Sequence, residues 1–97
     1  MPGSGDNVHL VAILQIPDLD AFEQYERQAL KILESHGGTL LDVIRSDDNS
    51  TEIHHLSFPD ETAFAAFKND TPLQQLLEMR QRAISNTTIY AGNRISY

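Results

Sequence analysis

Two hydrophobic rhythms alternate along the chain, and their order predicts its architecture. From Val8 to Ile16 apolar side chains recur at every second position: Val8, Leu10, Ala12, Leu14 and Ile16 share one face, while His9, Val11, Ile13 and Gln15 share the other. A period of two is a strand, and its half-apolar second face implies a sheet covered on both sides. After Pro17 the rhythm changes. Leu19, Phe22, Ala29, Leu30 and Leu33 keep the three-and-four spacing of one buried helical stripe, with Glu23, Gln24, Arg27, Gln28, Lys31 and Glu34 on the wet side. Asp18 or Asp20 caps this helix, the latter with Glu23 as a capping box, and Gly37-Gly38 ends it at about His36.

Thr39 to Arg45 and Thr51 to Phe58 read as two more strands, joined as a hairpin through the polar cluster Ser46-Asp47-Asp48-Asn49-Ser50. Phe58-Pro59 leads into a helix capped by Asp60 and built on Ala63, Phe64, Ala66 and Phe67, which Asn69-Asp70 interrupts. The spacing restarts a helix with Thr71 as N-cap, Pro72 at N1 and Gln74 at N3, running through Leu73, Leu76, Leu77, Arg80, Ala83 and Ile84. Thr87 to Ile95, rich in β-branched residues, is the last strand. The order strand, helix, strand, strand, broken helix, strand predicts an α+β, ferredoxin-like βαββαβ fold. Its four-stranded antiparallel sheet has spatial order 4-1-3-2, with helices on one face. The other, half-apolar face favours sheet-against-sheet association between subunits.

Length and charge narrow the partners. Ninety-seven residues with 40% hydrophobic content fit one domain over residues 8–97, behind a flexible lead-in over 1–7 that contains Pro2, Gly3 and Gly5. A formal net charge of −7 argues against nucleic acid and anionic membrane as partners. No cysteine is present, so thiolate chemistry is excluded, and neither a basic leader nor an apolar run of membrane length occurs. The expected location is cytoplasmic, and the sequons at Asn49, Asn69 and Asn86 are read as chance matches.

Strand parity then sorts the candidate chemistry. Along Thr51 to Phe58 it puts Glu52, His54, Leu56 and Phe58 on the helix side and Ile53, His55 and Ser57 on the other. His54 and His55 therefore cannot chelate one ion from a regular strand, and no metal or other cofactor is expected. His55 belongs to the subunit face with His9, a few pairs out of register. In the 4-1-3-2 order, Glu52 and His54 approach the first turns of the first helix, with Phe22 and Tyr25. The second helix brings Arg80 to the same end, and the last strand brings Thr88 and Tyr90. The candidates are thus His54 and Glu52 for acid-base chemistry and Phe22, Tyr25, Arg80 and Tyr90 for ligand binding. Each also has a plainer reading: Glu52 and Arg80 as an ion pair, His54 as a hydrogen-bonded core residue, Tyr25 as helix-sheet packing. No phosphate loop, nucleophile elbow or calcium loop occurs.

Tyr25, Gly37-Gly38, Phe58-Pro59 leading into Ala63 and Ala66-Phe67, Asp70 with Pro72, and Arg80 together resemble, in order and spacing over about residues 8 to 95, the domain-of-unknown-function 1330 family of the dimeric α+β barrel superfamily. The chain departs from that pattern at Thr39, Ser57 and Leu73-Gln74, where the family usually carries a basic, an acidic and an aromatic residue. The resemblance implies a ferredoxin-like protomer whose open sheet face meets that of a second copy in a homodimer. It implies no single activity, because superfamily relatives include cofactor-independent oxygenases, isomerases, haem-degrading enzymes and binding proteins. Two functions follow as expectations: binding of a small organic metabolite in a cleft between sheet and helices, or cofactor-independent oxygenase or isomerase chemistry on a small apolar substrate through His54.

Overall fold

The structure, a computed structural model, describes residues 7–97; the lead-in expected over 1–7 lies, Asn7 apart, outside the described residues. The elements follow the predicted order: β1 (Val8–Gln15), α1 (Leu19–Ser35), β2 (Thr39–Arg45), β3 (Thr51–Phe58), α2 (Glu61–Lys68), α3 (Thr71–Gln74), α4 (Leu77–Ala83) and β4 (Asn86–Gly92). The four strands form one antiparallel sheet in the order β2-β3-β1-β4, the expected arrangement read from its other edge. The fold is ferredoxin-like, with the helices on one side. Among the described residues no helix is long and apolar enough to cross a membrane.

Register makes each face a set of cross-strand rows. Facing the helices, Arg45, Glu52, Leu14 and Thr87 form one row, and Val43, His54, Ala12 and Ile89 the next. A third row holds Leu40, Leu56, Leu10 and Ala91. On the opposite face lie the row Ile44, Ile53, Ile13 and Thr88 and the row Asp42, His55, Val11 and Tyr90. The β2 edge needs a bulge at Leu41 to join this pattern, since Leu40 pairs with Leu56 but Asp42 with His55.

The helix ends show the local causes of the topology. Asp18, not Asp20, caps α1: its carboxylate accepts from the Ala21 amide at 3.2 Å. At the other end Gly38 N–H donates to Leu33 C=O and Gly37 N–H to Glu34 C=O, each at 2.9 Å, with Gly37 at φ +78°. That crossed pair of bonds closes the helix and requires the left-handed backbone glycine supplies. Asp60 caps α2 as the sequence predicts, accepting from Ala63 N–H at 2.7 Å. The next helix departs from expectation twice. Its cap is Asp70, which accepts from Leu73 N–H at 3.1 Å, so Thr71 and Pro72 stand inside the first turn. It also breaks at Gln75 and Leu76, giving two short helices, and β4 ends at Gly92 instead of Ile95.

Asp70 does double duty, since its second oxygen meets His36 Nε2 at 2.6 Å and ties the end of α1 to the start of α3. That bond holds the Asp70 carboxyl below the usual carboxylate range. In the hairpin turn, the hydroxyls of Ser50 and Ser46 pull Asp48 down to about 2. For carboxyls lowered by folding, the stabilisation is present above the unfolded value near 3.8 and is lost as pH falls through the folded values. Thermal midpoints should therefore drop between about pH 4 and pH 2. Asp48→Asn and Asp70→Asn should each melt lower at neutral pH and flatten that acid limb.

The core divides into two clusters at opposite ends of the sheet. Leu14, Ile16, Phe22, Tyr25, Ala29, Ala83 and Ile84 pack one end, and Leu10, Leu33 and Phe58 the other, with Phe64 and Phe67 against the latter. Ala12 on β1 and, within the first cluster, Ala29 on α1 are small, and no residue of α2 or α3 is buried. Packing is therefore thinnest at the middle of the helix face.

Candidate functional site

That thin middle is a cavity of about 380 Å³, within the range of ligand pockets. Its floor is the helix side of the sheet, with Leu10, Ala12, Leu14, His54 and Leu56; α1 supplies one wall and the segment from Phe64 to Ile84 the other. The lining is mostly aliphatic and aromatic. Its polar groups are Tyr25, Glu26, His54, Lys68, Gln74, Arg80 and Thr87, and Lys68 lies 4.4 Å over the Phe64 ring.

His54 sits in the floor only 4% exposed, fixed by the row beside it. Its Nε2 is 2.7 Å from Glu52 Oε1, and Glu52 Oε2 accepts from Arg45 Nε at 2.7 Å. Arg45 also reaches Glu23 at 3.7 Å. A buried carboxylate is tolerable when paired and hydrogen-bonded, and Glu52 meets both conditions. With the Glu52 carboxylate accepting, Nε2 carries the proton and Nδ1 of a neutral ring is left as an acceptor. Nδ1 lies 4.0 Å from Glu26 Oε2, too far for a hydrogen bond. The arrangement is a run of polar contacts from the sheet edge toward the cavity wall, Arg45 to Glu52 to His54, with Glu26 beyond at 4.0 Å.

Glu26 and Tyr25 carry the electrostatic signature of the site. Burial raises the Glu26 carboxyl above the usual carboxylate range; His54 and Arg80 oppose the rise and Glu52 adds to it. Burial also raises the Tyr25 phenol, against the nearby Arg80 guanidinium. Arg80 donates through Nη2 to Thr87 Oγ1 at 2.7 Å and forms no ion pair with a carboxylate among the described residues. A carboxyl raised by folding disfavours the fold when ionised, and that penalty grows as pH rises from the unfolded value of 4.5 through the folded one. Glu26→Gln should accordingly melt higher than the parent at pH 7 and level with it near pH 3, a comparison that calorimetry makes directly.

Of the residues singled out in the sequence, His54, Tyr25 and Arg80 meet at the cavity, with Glu52 directly behind His54. Two do not. Phe22 is 1% exposed inside the end cluster and does not line the cavity. Tyr90 pairs with Val11 on the opposite face of the sheet and is 61% exposed, so it is removed from the site. Glu52 pairs with Arg45 and not with Arg80. His9 and His55 are closer than expected: they are diagonal neighbours on the open face, with Nδ1 of His9 3.0 Å from Nε2 of His55.

Sequence reasoning missed Glu26 and Arg45. Glu26 stands four residues after Phe22 and three before Ala29, on the edge of the buried stripe, which is a readable signal. Arg45 gave none, because only the bulge at Leu41 turns it toward the helices.

A profile of the family described as a domain of unknown function (DUF1330) matches residues 7–92. The chain belongs to that family. A comparison with curated proteins gives no match. Among solved structures the DUF1330 chain resembles SnoaB, a cofactor-independent oxygenase from Streptomyces nogalater, at TM-score 0.80 and 12% identity, over 95% of this chain and 96% of that one. It also resembles RPA0582, a protein of unknown function from Rhodopseudomonas palustris, at TM-score 0.76 and 14% identity, over 96% of this chain and 85% of the other. A conserved protein from Methanosarcina mazei matches at TM-score 0.68 and 11% identity, over 96% and 97% of the two chains. At such identities the likeness establishes the fold, and the chemistry has to be argued from the side chains.

Proposed function

We propose that this DUF1330 protein is a cytoplasmic homodimer of single-domain subunits that binds a small organic metabolite in the cleft between sheet and helices. The observation that carries the reading is the cavity of about 380 Å³, apolar over most of its lining, with Tyr25, Glu26, His54 and Arg80 converging on it. An apolar pocket with a few converging polar groups is what a small-molecule site requires. The subunit contact is the open sheet face, where Val11, Ile44, Ile53 and Tyr90 stand exposed in adjoining rows. An amide-resolved NMR titration with a panel of small organic compounds tests the site. Shifts should gather at Ala12, Ala29, Leu56 and Leu73, whereas shifts confined to the open face contradict the reading.

A second reading rests on His54. Its Nε2 is held by Glu52 while Nδ1 is turned toward the cavity wall, the posture of a general base. The fold likeness to a cofactor-independent oxygenase is compatible with cofactor-free chemistry here. Under this reading His54 accepts a substrate proton, Glu52 orients the ring, and Arg80 with Tyr25 holds the oxygen on which charge develops. His54→Gln should then retain ligand binding and lose at least about 100-fold in turnover; equal turnover in parent and variant would remove His54 from the mechanism.

A further inference from the structure

Arg80 is the half-buried uncommitted charge of the cavity; Lys68, the other cation of the lining, is exposed and lies over the Phe64 ring. Arg45 is occupied by Glu52 and Glu23, and the proton on His54 Nε2 by Glu52, whereas among the described residues Arg80 meets only the Thr87 hydroxyl and the neighbourhood of Tyr25. It stands half-buried at the end of an apolar cavity, where a guanidinium without a counter-anion gains most from an anionic partner. One guanidinium, one phenol and one hydroxyl match a singly charged, planar head group. A phosphate dianion at this end would face Glu26 with Arg80 as its supporting cation, since the cavity's other cation, Lys68, lies over the Phe64 ring. From Arg80 the cavity continues along Leu14, Ala29 and Leu33 to Phe64 and Phe67, where Lys68 and Gln74 are the polar groups of the lining, so the length of the ligand between is hydrocarbon.

Resting on the cleft reading above, we propose that the ligand is an apolar monocarboxylate, its head group on Arg80 and Tyr25 and its tail toward Phe64 and Phe67, and that Glu26 takes up one proton as it binds. The groups facing Glu26 are His54 and, behind it, Glu52 on β3, Arg80 on α4 and Tyr25 on its own helix. Before a ligand binds, Arg80 helps Glu26 ionise against its burial, as does His54 whenever its ring is protonated. An arriving carboxylate engages Arg80 and places a second anion beside Glu26. Two carboxyls sharing one apolar site do not both stay ionised, so one binds a proton from solvent. The charge balance closes: one ligand anion and one proton enter, and the net charge of the complex is unchanged.

The proposal fixes the sign of the pH dependence. Because binding takes up a proton, affinity falls as pH rises above the Glu26 range, by up to about tenfold per pH unit. The experiment is calorimetric titration of the full chain with decanoate, 1-decanol and decylamine, each acid titration repeated in two buffers of different ionisation heat. We expect decanoate to saturate at one per chain and at least tenfold tighter than the alcohol, with the amine weakest. The buffer comparison should show proton uptake with the parent and none with Glu26→Gln, which still binds, and Arg80→Gln should erase the preference for the acid, with Arg80→Lys restoring part of it. Alcohol binding as tight as the acid, or undiminished uptake in Glu26→Gln, would overturn the head-group assignment while leaving the cleft as a binding site. Absence of saturable binding by all three compounds would overturn both.

Discussion

At micromolar concentration the proposed dimer requires the parent chain to sediment as a dimer and Ile53→Lys as a monomer. Ile53 lies on a central strand in the row Ile44, Ile53, Ile13 and Thr88, next to the row that holds Val11 and Tyr90. Ile53 is 38% exposed, Ile44 60% and Tyr90 61%, all on the face without helices. In an isolated protomer a lysine there is a surface substitution, worth within about 0.5 kcal/mol of neutral. Across a subunit contact it buries an unpaired ammonium, which costs about 3 kcal/mol or more and weakens the dimer roughly 100-fold. Folding and association thus respond very differently to the same change. A parent chain that is monomeric, or a variant that remains dimeric, would show that this face is not the contact.

Phe58→Ala should lower stability by about 3–5 kcal/mol, a large share of the roughly 5–15 kcal/mol expected for a domain of this size. Phe58 is 0% exposed, and its ring centroid lies 5.3 Å from that of Phe64 and 5.5 Å from that of Phe67. It is the attachment of α2, a helix that buries no residue of its own, to the sheet. The truncation therefore costs the transfer of the ring and loosens the wall of the cleft as well. Thermal melts should fall by about 15–30 °C, and a loss below about 1 kcal/mol would mean that α2 is held by something other than this contact.

Much of this was readable from the chain because β1 and β3 alternate cleanly. Parity alone separates His54 from His55 and places Leu10, Ala12 and Leu14 on the helix side, and the register agrees at every pair. Elsewhere the phase was not fixed. Thr87 to Tyr90 is amphipathic in either sense, so the sequence allowed Tyr90 into the cleft although the register puts Thr87 and Ile89 there. In β2, strict alternation from Thr39 would send Arg45 to the open face; the extra residue at Leu41 reverses the phase and delivers it to Glu52. The cap of α3 was misplaced by one residue because Asp70 and Thr71 are both good caps, and the His36 bond that favours Asp70 is a tertiary contact. The cavity is lined by two alanines from different layers, Ala12 on β1 and Ala29 on α1, a coincidence visible only once the strand and helix are docked.

If the space beneath α1 is a ligand site and not a packing remnant, it should take up an apolar probe. Fluorescence titration of the parent chain with 1-anilinonaphthalene-8-sulfonate, beside Ala29→Leu and Ala12→Leu, tests it most directly. Both substitutions add apolar volume inside the cavity, and because both alanines are also buried in the core, melts establish that each variant is folded before its binding is compared. A ligand site gives saturable binding at one probe per chain in the parent, weakened at least tenfold in both variants. Equal binding by parent and folded variants would contradict it.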